Sequence, residues 1–234
     1  MRTRLEARQM ITNTVRKAAI AAIALSALGG SAFAATPDFT GLWRVPAFVG
    51  QLKTTKGQTP PLQPAAAAVY QKRMADRAAG SAVGDPLDEC KPYGVPRMMF
   101  APYPMLVVQS AKQVSMVQQG NHTFRLIYVG GTHPTDPDPT WLGHSIAHWQ
   151  GSTLVAETVG FNDLTWLDRA GLPHSDQMKV IERISLSKDG KTLSDLITID
   201  DPKTFTAPWS TRVSYKRQKG MDLEESICVR NHKM

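Results

Sequence analysis

The chain has 234 residues and a formal net charge of +7, with 27 Lys and Arg against 20 Asp and Glu. Residues 1–34 hold five of the basic residues and one acidic residue, which leaves 22 basic and 19 acidic residues in the remainder. Phosphate binding needs a clustered basic face, so this nearly balanced charge excludes nucleic-acid binding from the expected functions.

The first 34 residues have the pattern of a secretory signal peptide. A basic stretch over residues 2–17 precedes an apolar run over residues 18–28, and Ala32-Phe33-Ala34 forms a small-x-small cleavage site. The apolar run is shorter than the ~20 residues that cross a bilayer, which disfavours the alternative of an uncleaved anchor. We therefore expect a soluble periplasmic or secreted protein of residues 35–234, one domain in size, without stable membrane insertion.

The chain after the signal peptide begins with a strand and a helix. Residues 39–49 are predicted as the first strand, and residues 64–79 as the one helix, with Pro64 near its start and Gly80 as its stop. Residues 81–104 contain five prolines and are predicted as a long irregular segment. A segment of this kind usually covers part of a fold.

Eight further strands are predicted at short intervals, several of them joined by hairpin-length turns. They are residues 105–109, 113–118, 124–129, 145–149, 153–159, 179–186, 192–199 and 210–216. Closure of such a sheet removes its exposed edges. We therefore predict a mainly β fold: a single antiparallel lipocalin-like barrel or curled sheet, with one helix and a long Pro-rich covering loop.

Cys90 and Cys228 are the only cysteines of the chain. In an oxidising compartment an isolated pair most often forms a disulfide, here one that closes a loop of more than half the chain. The bond is predicted to tie the C-terminal strand to the Pro-rich segment. Two free thiols or a metal-binding pair are the alternatives.

Residues 133–182 combine titratable and aromatic side chains at high density. A buried titratable group needs a partner or changes its protonation state, so this crowding indicates the wall of a small-molecule site rather than a plain core. The titratable side chains are His133, His144, His174, Asp163, Asp168 and Glu182, and Trp141, Trp149 and Trp166 lie among them.

Two glutamates are placed by the two-residue period of a strand. Glu182 lies on the more apolar face of the strand 179–186, together with Val180, and Glu157 lies on the same face of its own strand as Val155. An inward carboxylate either pairs with a base or has a raised pKa, and both conditions suit proton transfer. A buried structural salt bridge or hydrogen bond is the alternative for either glutamate.

His144 and His148 form an H-x-x-x-H pair. On the predicted strand four residues span ~13 Å, so one metal ion does not bind both imidazoles. A metal site built from His144, His174 and a carboxylate is left open as an alternative. Otherwise we expect no cofactor.

Two resemblances to known families are present. The segment Asp38-Phe39-Thr40-Gly41-Leu42-Trp43 resembles the G-x-W start of lipocalin-like barrels, which implies that Arg212 or Arg217 stacks on Trp43. A longer pattern resembles a family of secreted bacterial proteins of unassigned function, which supports a periplasmic barrel and implies no activity. Its parts are DPTWLGHS (138–145), GFND (160–163), TWLD (165–168), PHS (173–175), ER (182–183) and DDP (200–202).

Two function classes fit these residues, and a purely structural protein is a third interpretation. The first is a cofactor-independent enzyme of lyase or isomerase type, acting on a small ring-bearing or sugar-like molecule. In it His144 or His174 moves a proton, and Asp168 or Glu182 orients that histidine. Its substrate-binding residues are predicted to be Trp141, Trp166, Asn162, Asp163, Glu157 and His133. The second class is a lipocalin-like binding protein that holds a small apolar ligand in the barrel, where the same polar groups fix its orientation.

Overall fold

Nine strands and one α-helix make up the regular structure in the computed structural model, which describes residues 36–81 and 84–228. The predicted signal peptide lies outside the described residues. The strands are β1 (Gly41–Arg44), β2 (Met105–Gln109), β3 (Gln113–Gln118), β4 (Thr123–Val129), β5 (His144–Gln150), β6 (Thr153–Val159), β7 (Lys179–Leu186), β8 (Thr192–Asp200) and β9 (Trp209–Gln218), and the helix is α1 (Pro64–Ala78). The mainly β prediction is confirmed.

The strands form a closed barrel in chain order, with β9 paired to β1. All neighbouring pairs are antiparallel except β4 and β5, which run parallel. Residues 130–143 leave one end of the barrel and reach the other end before β5 begins. A connection of this length covers the ~23 Å rise of a seven-residue strand. The barrel therefore departs from the antiparallel prediction at this one pair.

Burial alternates along the strands and separates the interior of the barrel from its surface. On β8, Leu193, Asp195, Ile197 and Ile199 are buried, whereas the residues that alternate with them are partly exposed. Inward β-branched side chains favour the extended backbone and fill the interior. The same alternation places Glu182 inside, as predicted. Glu157 lies on the outer face with 41% of its side chain exposed, so the expectation of an inward carboxylate is wrong for this residue.

Trp43 is fully buried, and Arg217 of β9 stacks on its ring, with the guanidinium carbon 4.3 Å from the ring centroid. The same guanidinium donates to the Thr40 carbonyl oxygen over 2.6 Å. Gly41 has φ +145°, and a Cβ atom there would lie 2.5 Å from Arg217 Nη1, so only glycine fits. The stacked arginine implied by the G-x-W start is therefore Arg217, since Arg212 is exposed on the outer face.

The Pro-rich segment between α1 and β2 covers one end of the barrel. Its short 3-10 helix, Arg97–Phe100, inserts Met99 into the core, where the Met99 carbonyl oxygen accepts from the Tyr215 hydroxyl over 2.8 Å. Asp85 holds this helix through two hydrogen bonds from Arg97, of 2.8 and 2.7 Å. The segment thus acts as a covering loop, as predicted, and part of it fills the barrel.

Cys90 and Cys228 form a disulfide with their Cα atoms 5.5 Å apart, which confirms the predicted bond. Cys228 lies beyond β9 rather than in it, so the bond anchors the tail that follows the last strand. The backbone N–H of Glu224 in this tail donates to the Gln119 side chain over 3.2 Å. Within the described ranges, no helix is both long enough and apolar enough to cross a membrane.

Candidate functional site

Glu182 is fully buried in the barrel interior and pairs with Arg125 of β4. Arg125 Nη1 donates to Glu182 Oε1 over 2.8 Å, and Nη2 donates to Oε2. The guanidinium also donates from Nε to Ser145 Oγ over 3.1 Å and from Nη2 to Thr158 Oγ1 over 2.8 Å. This geometry favours the structural salt bridge, which was the alternative to a catalytic role for Glu182.

Asp195 of β8 lies beside this ion pair and is 1% exposed. Sequence reasoning missed it, although the two-residue period of the strand places it on the inward face with Leu193. Neither of its carboxyl oxygens has a hydrogen-bond partner of standard geometry among the described residues. Burial raises the pKa of Asp195 well above its usual value, and the nearby Glu182 carboxylate raises it further. A protonated Asp195 can donate to Glu182, whereas two carboxylates are acceptors only. We define Arg125, Glu182 and Asp195 as the interior cluster, in which the protonated form of Asp195 is favoured beside the Arg125–Glu182 ion pair.

His174 is buried in the connection between β6 and β7, and both of its ring nitrogens are engaged. Nδ1 lies 3.0 Å from the Ser175 carbonyl oxygen, and Nε2 lies 2.6 Å from Thr165 Oγ1. A carbonyl oxygen only accepts, so Nδ1 carries the proton and Nε2 accepts from the threonine hydroxyl. Burial lowers the pKa of His174, which keeps the ring neutral. The imidazole thus supports the fold of this connection.

Asp168, in the same connection, is also fully hydrogen-bonded. Its Oδ2 accepts from the Leu52 backbone N–H and from the Tyr70 hydroxyl, each over 2.9 Å, and its Oδ1 accepts from the Leu172 N–H over 3.0 Å. These bonds tie the connection to α1 and to the segment after β1. Asp168 also lines a small cleft of about 100 Å³ with Tyr93. Among its described contacts there is no hydrogen bond to His174, so the predicted pairing of the two is not formed.

The other predicted residues of this connection lie in supporting or surface positions. Trp166 is buried under Arg73 of α1, whose guanidinium carbon lies 4.5 Å from the ring centroid. Asn162 Oδ1 accepts from the Leu164 backbone N–H over 3.2 Å, a contact that stabilises a turn. Asp163 is exposed.

A cleft of about 290 Å³ opens in the barrel wall between β4 and β5. Pairing of the two strands begins at Ile127 and Ser145, so residues 123–126 of β4 have no partner in β5. The chain that leads into β5 lies against the end of β6 and not against β4, since Thr140 pairs with Phe161 just after β6. We term this opening the seam cleft. Its lining residues are Pro92, Phe124, Arg125, Leu126, Tyr128, Thr140, Trp141, Leu142, Gly143, His144 and Ser145.

Gly143 sets the path of the chain into β5. Its φ is +66°, and a Cβ atom would lie 2.7 Å from the Val159 carbonyl oxygen of β6. Only glycine allows so close an approach to β6. Because the chain lies this close to β6, it does not pair with the start of β4. The seam cleft is the opening that results.

The seam cleft is lined mainly by aromatic and apolar side chains. Phe124 and Tyr128 of β4 are 61% and 40% exposed, and Trp141 lines the same opening. Arg125 and Ser145 project inward from their strands, so they bound the inner side of the cleft. The cleft thus joins an exposed aromatic surface to the edge of the interior cluster.

His144 lies at the seam cleft, and its ring stacks on that of Tyr128 with the centroids 5.4 Å apart. Its Nδ1 lies 2.9 Å from Nδ1 of His133, whose Nε2 lies 3.4 Å from Glu157 Oε1. Lys179 Nζ is 3.9 Å from the other oxygen of Glu157. Burial lowers the pKa of His144, and the neighbouring His133 lowers it further. Three of the predicted residues therefore form a chain on the outer face of the barrel.

The predicted site residues thus separate into three groups. The group at the seam cleft is Trp141, His133, His144 and Glu157. The group in the β6–β7 connection is Asn162, Asp163, Trp166, Asp168 and His174, and Glu182 lies alone in the interior. The four residues predicted to be catalytic do not meet around one cavity. Any acid–base chemistry at the seam cleft therefore depends on His144.

Most lining residues of the seam cleft were missed by sequence reasoning, among them Phe124, Arg125 and Tyr128. The signal was present in β4, whose sequence TFRLIYV alternates between the two faces. Arg125 shares the inward face with Ile127, and an inward arginine requires a buried acidic partner. Phe124 and Tyr128 then fall on the outer face, where exposed aromatic side chains mark a binding surface.

Within residues 36–81 and 84–228, no group of three His, Cys, Asp or Glu side chains is arranged to hold a metal ion. The metal site considered for His144, His174 and a carboxylate is not formed, because the two imidazoles make hydrogen bonds with different partners. No protein-family model matches the sequence, and neither does any curated protein. The resemblance to a family of secreted bacterial proteins therefore stays a prediction.

Proposed function

We propose that the protein binds a small, ring-bearing and mostly apolar molecule in the seam cleft. The observation that carries this proposal is the opening of about 290 Å³ between β4 and β5, lined by aromatic side chains. Ligand sites are typically concave and apolar with a few polar groups that fix orientation. His144 supplies such a polar group here.

The exposure of Phe124 and Tyr128 supports this proposal. A monomeric protein gains free energy by burying large aromatic side chains, so an aromatic surface left open around a cleft favours an occupant. Rings stack on aromatic side chains in offset or edge-to-face arrangements, with about 0.5–1.5 kcal/mol gained beyond the burial of area. A flat ring between Phe124 and Trp141 would gain both contributions.

The position of this cleft differs from the expectation of a ligand inside the barrel. The interior is occupied by buried side chains, including Trp43 and Met99, and by the interior cluster. A ligand bound in the wall of the barrel does not have to displace them. The proposed binding protein therefore uses the seam between two strands where a lipocalin uses the barrel interior.

We further propose that this binding takes place in the periplasm or outside the cell. The Cys90–Cys228 disulfide supports an oxidising compartment, in which such bonds form and persist. The signal-peptide pattern of residues 1–34 supports the same location.

A second candidate is the acid–base enzyme of lyase or isomerase type. The chain of Glu157, His133 and His144 favours it, since the His133 imidazole holds His144 by a contact of 2.9 Å and an imidazole in a fixed orientation is a common general base. In this form of the proposal His144 acts alone at the cleft, and His174, Asp168 and Glu182 stabilise the fold.

The test is direct binding of ring-bearing probes to the protein. Indole is titrated and followed by saturation-transfer NMR, and the neutral fluorophore N-phenyl-1-naphthylamine is titrated and followed by fluorescence. We expect saturable binding that weakens about tenfold in Phe124→Ala and in Trp141→Ala. Val108→Ala is the matched control, because Val108 is 47% exposed on β2 and does not line the cleft. The proposal fails if neither probe saturates, or if both cleft variants bind as the wild type does.

A further inference from the structure

We propose that the seam cleft takes ring-bearing molecules with an acidic hydroxyl group, a phenol or an enol, and that His144 Nε2 accepts a hydrogen bond from that hydroxyl. This inference rests on the proposed function, since it names the class of molecule for the same cleft. The chain of contacts from Glu157 through His133 to His144 carries it, because this chain determines which nitrogen of His144 is free.

The tautomers follow from the carboxylate end of the chain. Glu157 Oε1 lies 3.4 Å from Nε2 of His133, outside hydrogen-bond geometry, and its negative charge favours the tautomer of His133 with the proton on Nε2 over one with a lone pair there. The Nδ1 atom of a neutral His133 then has a lone pair. It accepts from Nδ1–H of His144 over 2.9 Å. His144 therefore has its lone pair at Nε2.

Nε2 of His144 is available to a ligand. It makes no hydrogen bond with any of the residues that the structure describes, and His144 lines the seam cleft. The ring stacks on Tyr128 at an interplanar angle of 21°, which restricts its rotation. A base in a fixed orientation at an aromatic-lined opening suits a ring whose substituent has an exchangeable proton.

The contact is a hydrogen bond and not a full proton transfer, because burial and the neighbouring His133 lower the pKa of His144. The ligand keeps its O–H bond and donates to Nε2. Glu157 beyond His133 strengthens the acceptor, whereas Lys179 beside Glu157 weakens it. The Tyr128 ring is stacked on the His144 imidazole.

The same surroundings argue against a ligand that arrives as an anion. A carboxylate or phosphate would need a cation with free donors in the cleft. Arg125 is the cation that bounds the cleft, and its donors are engaged by Glu182, Ser145 and Thr158. A neutral molecule with an acidic hydroxyl requires only an acceptor, which His144 provides.

The first experiment measures the tautomers in the free protein by ¹⁵N NMR of the imidazole rings. We expect His144 as the Nδ1–H tautomer and His133 as the Nε2–H tautomer. Glu157→Leu should shift His144 towards the Nε2–H form, which isolated imidazoles prefer. Glu225→Leu, an equal charge change at an exposed position in the tail, should leave both rings unchanged. A proton on Nε2 of neutral His144 in the wild type overturns this inference, whereas the proposed binding of ring-bearing molecules is unaffected.

The second experiment compares 4-nitrophenol with nitrobenzene, which has a similar shape but no hydroxyl. At a pH below the pKa of the free phenol, we expect neutral 4-nitrophenol to bind about tenfold more tightly, because only its hydroxyl can donate to His144 Nε2. His144→Phe keeps a ring against Tyr128 and should remove this preference while nitrobenzene still binds. Equal wild-type affinities overturn the inference and leave aromatic binding standing, whereas failure of both probes overturns the two proposals together.

Discussion

Arg125 and Glu182 form a two-pronged ion pair inside the barrel, and neither side chain is more than 1% exposed. They lie on β4 and β7, which are separated by β5 and β6 and so share no backbone hydrogen bonds. The same guanidinium donates to Ser145 on β5 and to Thr158 on β6. One side chain thus joins four strands, and its contacts fix how they are positioned around the interior.

Removal of one partner should be costly, because the other is left as an unpaired buried charge. We expect Glu182→Leu to lower the free energy of unfolding by about 3–5 kcal/mol, measured by urea denaturation. The double variant Arg125→Met/Glu182→Leu should recover much of this loss, since it removes both charges. Glu157→Leu, at an exposed position, should change stability by no more than about 0.5 kcal/mol. A fully stable Glu182→Leu protein would contradict the structural role of this ion pair.

Asp195 should make stability depend on pH in the direction opposite to that of an ordinary carboxylate. Its folded pKa is raised, so the folded state keeps a proton that the unfolded state releases above its pKa of about 3.9. The stability that this raised pKa contributes is fully present below the unfolded pKa and is lost as the pH rises through the folded pKa. Asp195→Asn, which resembles the protonated acid, should therefore have a higher Tm than the wild type at about pH 7.

This advantage should disappear at about pH 4, where the wild-type carboxyl is protonated in both states. Asp222→Asn, an exposed change in the tail, is the control and should show no such dependence on pH. A variant that is less stable than the wild type at every pH would mean that ionised Asp195 has a stabilising partner.

The barrel was predictable because its strands follow simple rules. Alternation on β8 and the short turn before it predict an inward face that holds Leu193 and Ile199. The same parity placed Glu182 inside. The parallel pairing of β5 with β4 was not predictable, since it depends on the path of residues 130–143. That path is set by the contact of Gly143 with β6, which no local propensity encodes.

The candidate site was predictable only in part, because spacing along the chain does not identify hydrogen-bond partners. His174 and Asp168 look catalytic in the sequence, yet a threonine, a tyrosine and backbone groups satisfy them. Thr165 and Tyr70 carry no sequence signal for this role. The sequence pattern indicates one segment for His133 and His144 but does not predict their contact. That contact requires the connection of residues 130–143 to return along β5.

The disulfide should stabilise the protein by restricting the unfolded chain. Cys90 and Cys228 are 138 residues apart, and the chain-entropy model gives ~5 kcal/mol for a loop of this length before strain is subtracted. We expect the double variant Cys90→Ser/Cys228→Ser to have a Tm several degrees lower, and reductant to have the same effect on the wild type. Intact protein should have no free thiol in a thiol assay. Two titratable thiols in protein purified without reductant would contradict the bond.

The pH dependence of stability distinguishes a structural role of His174 from a catalytic one. Burial lowers its folded pKa, so its contribution to stability is present above the unfolded pKa of about 6.5 and is lost as the pH falls towards the folded pKa. His174→Gln should lower stability by about 1–3 kcal/mol at pH near 7.5, because Thr165 or Ser175 loses its partner. Its stability should then fall less than that of the wild type on acidification to about pH 5.5.

The control for this measurement is His148→Gln, since His148 lies on the exposed face of β5. Indole binding by the folded His174→Gln protein should equal that of the wild type, because His174 does not line the seam cleft. Thermal unfolding at the two pH values and the probe titration together decide the role. Unchanged stability with lost binding or turnover of a probe would return His174 to the catalytic role that its position in the sequence predicts.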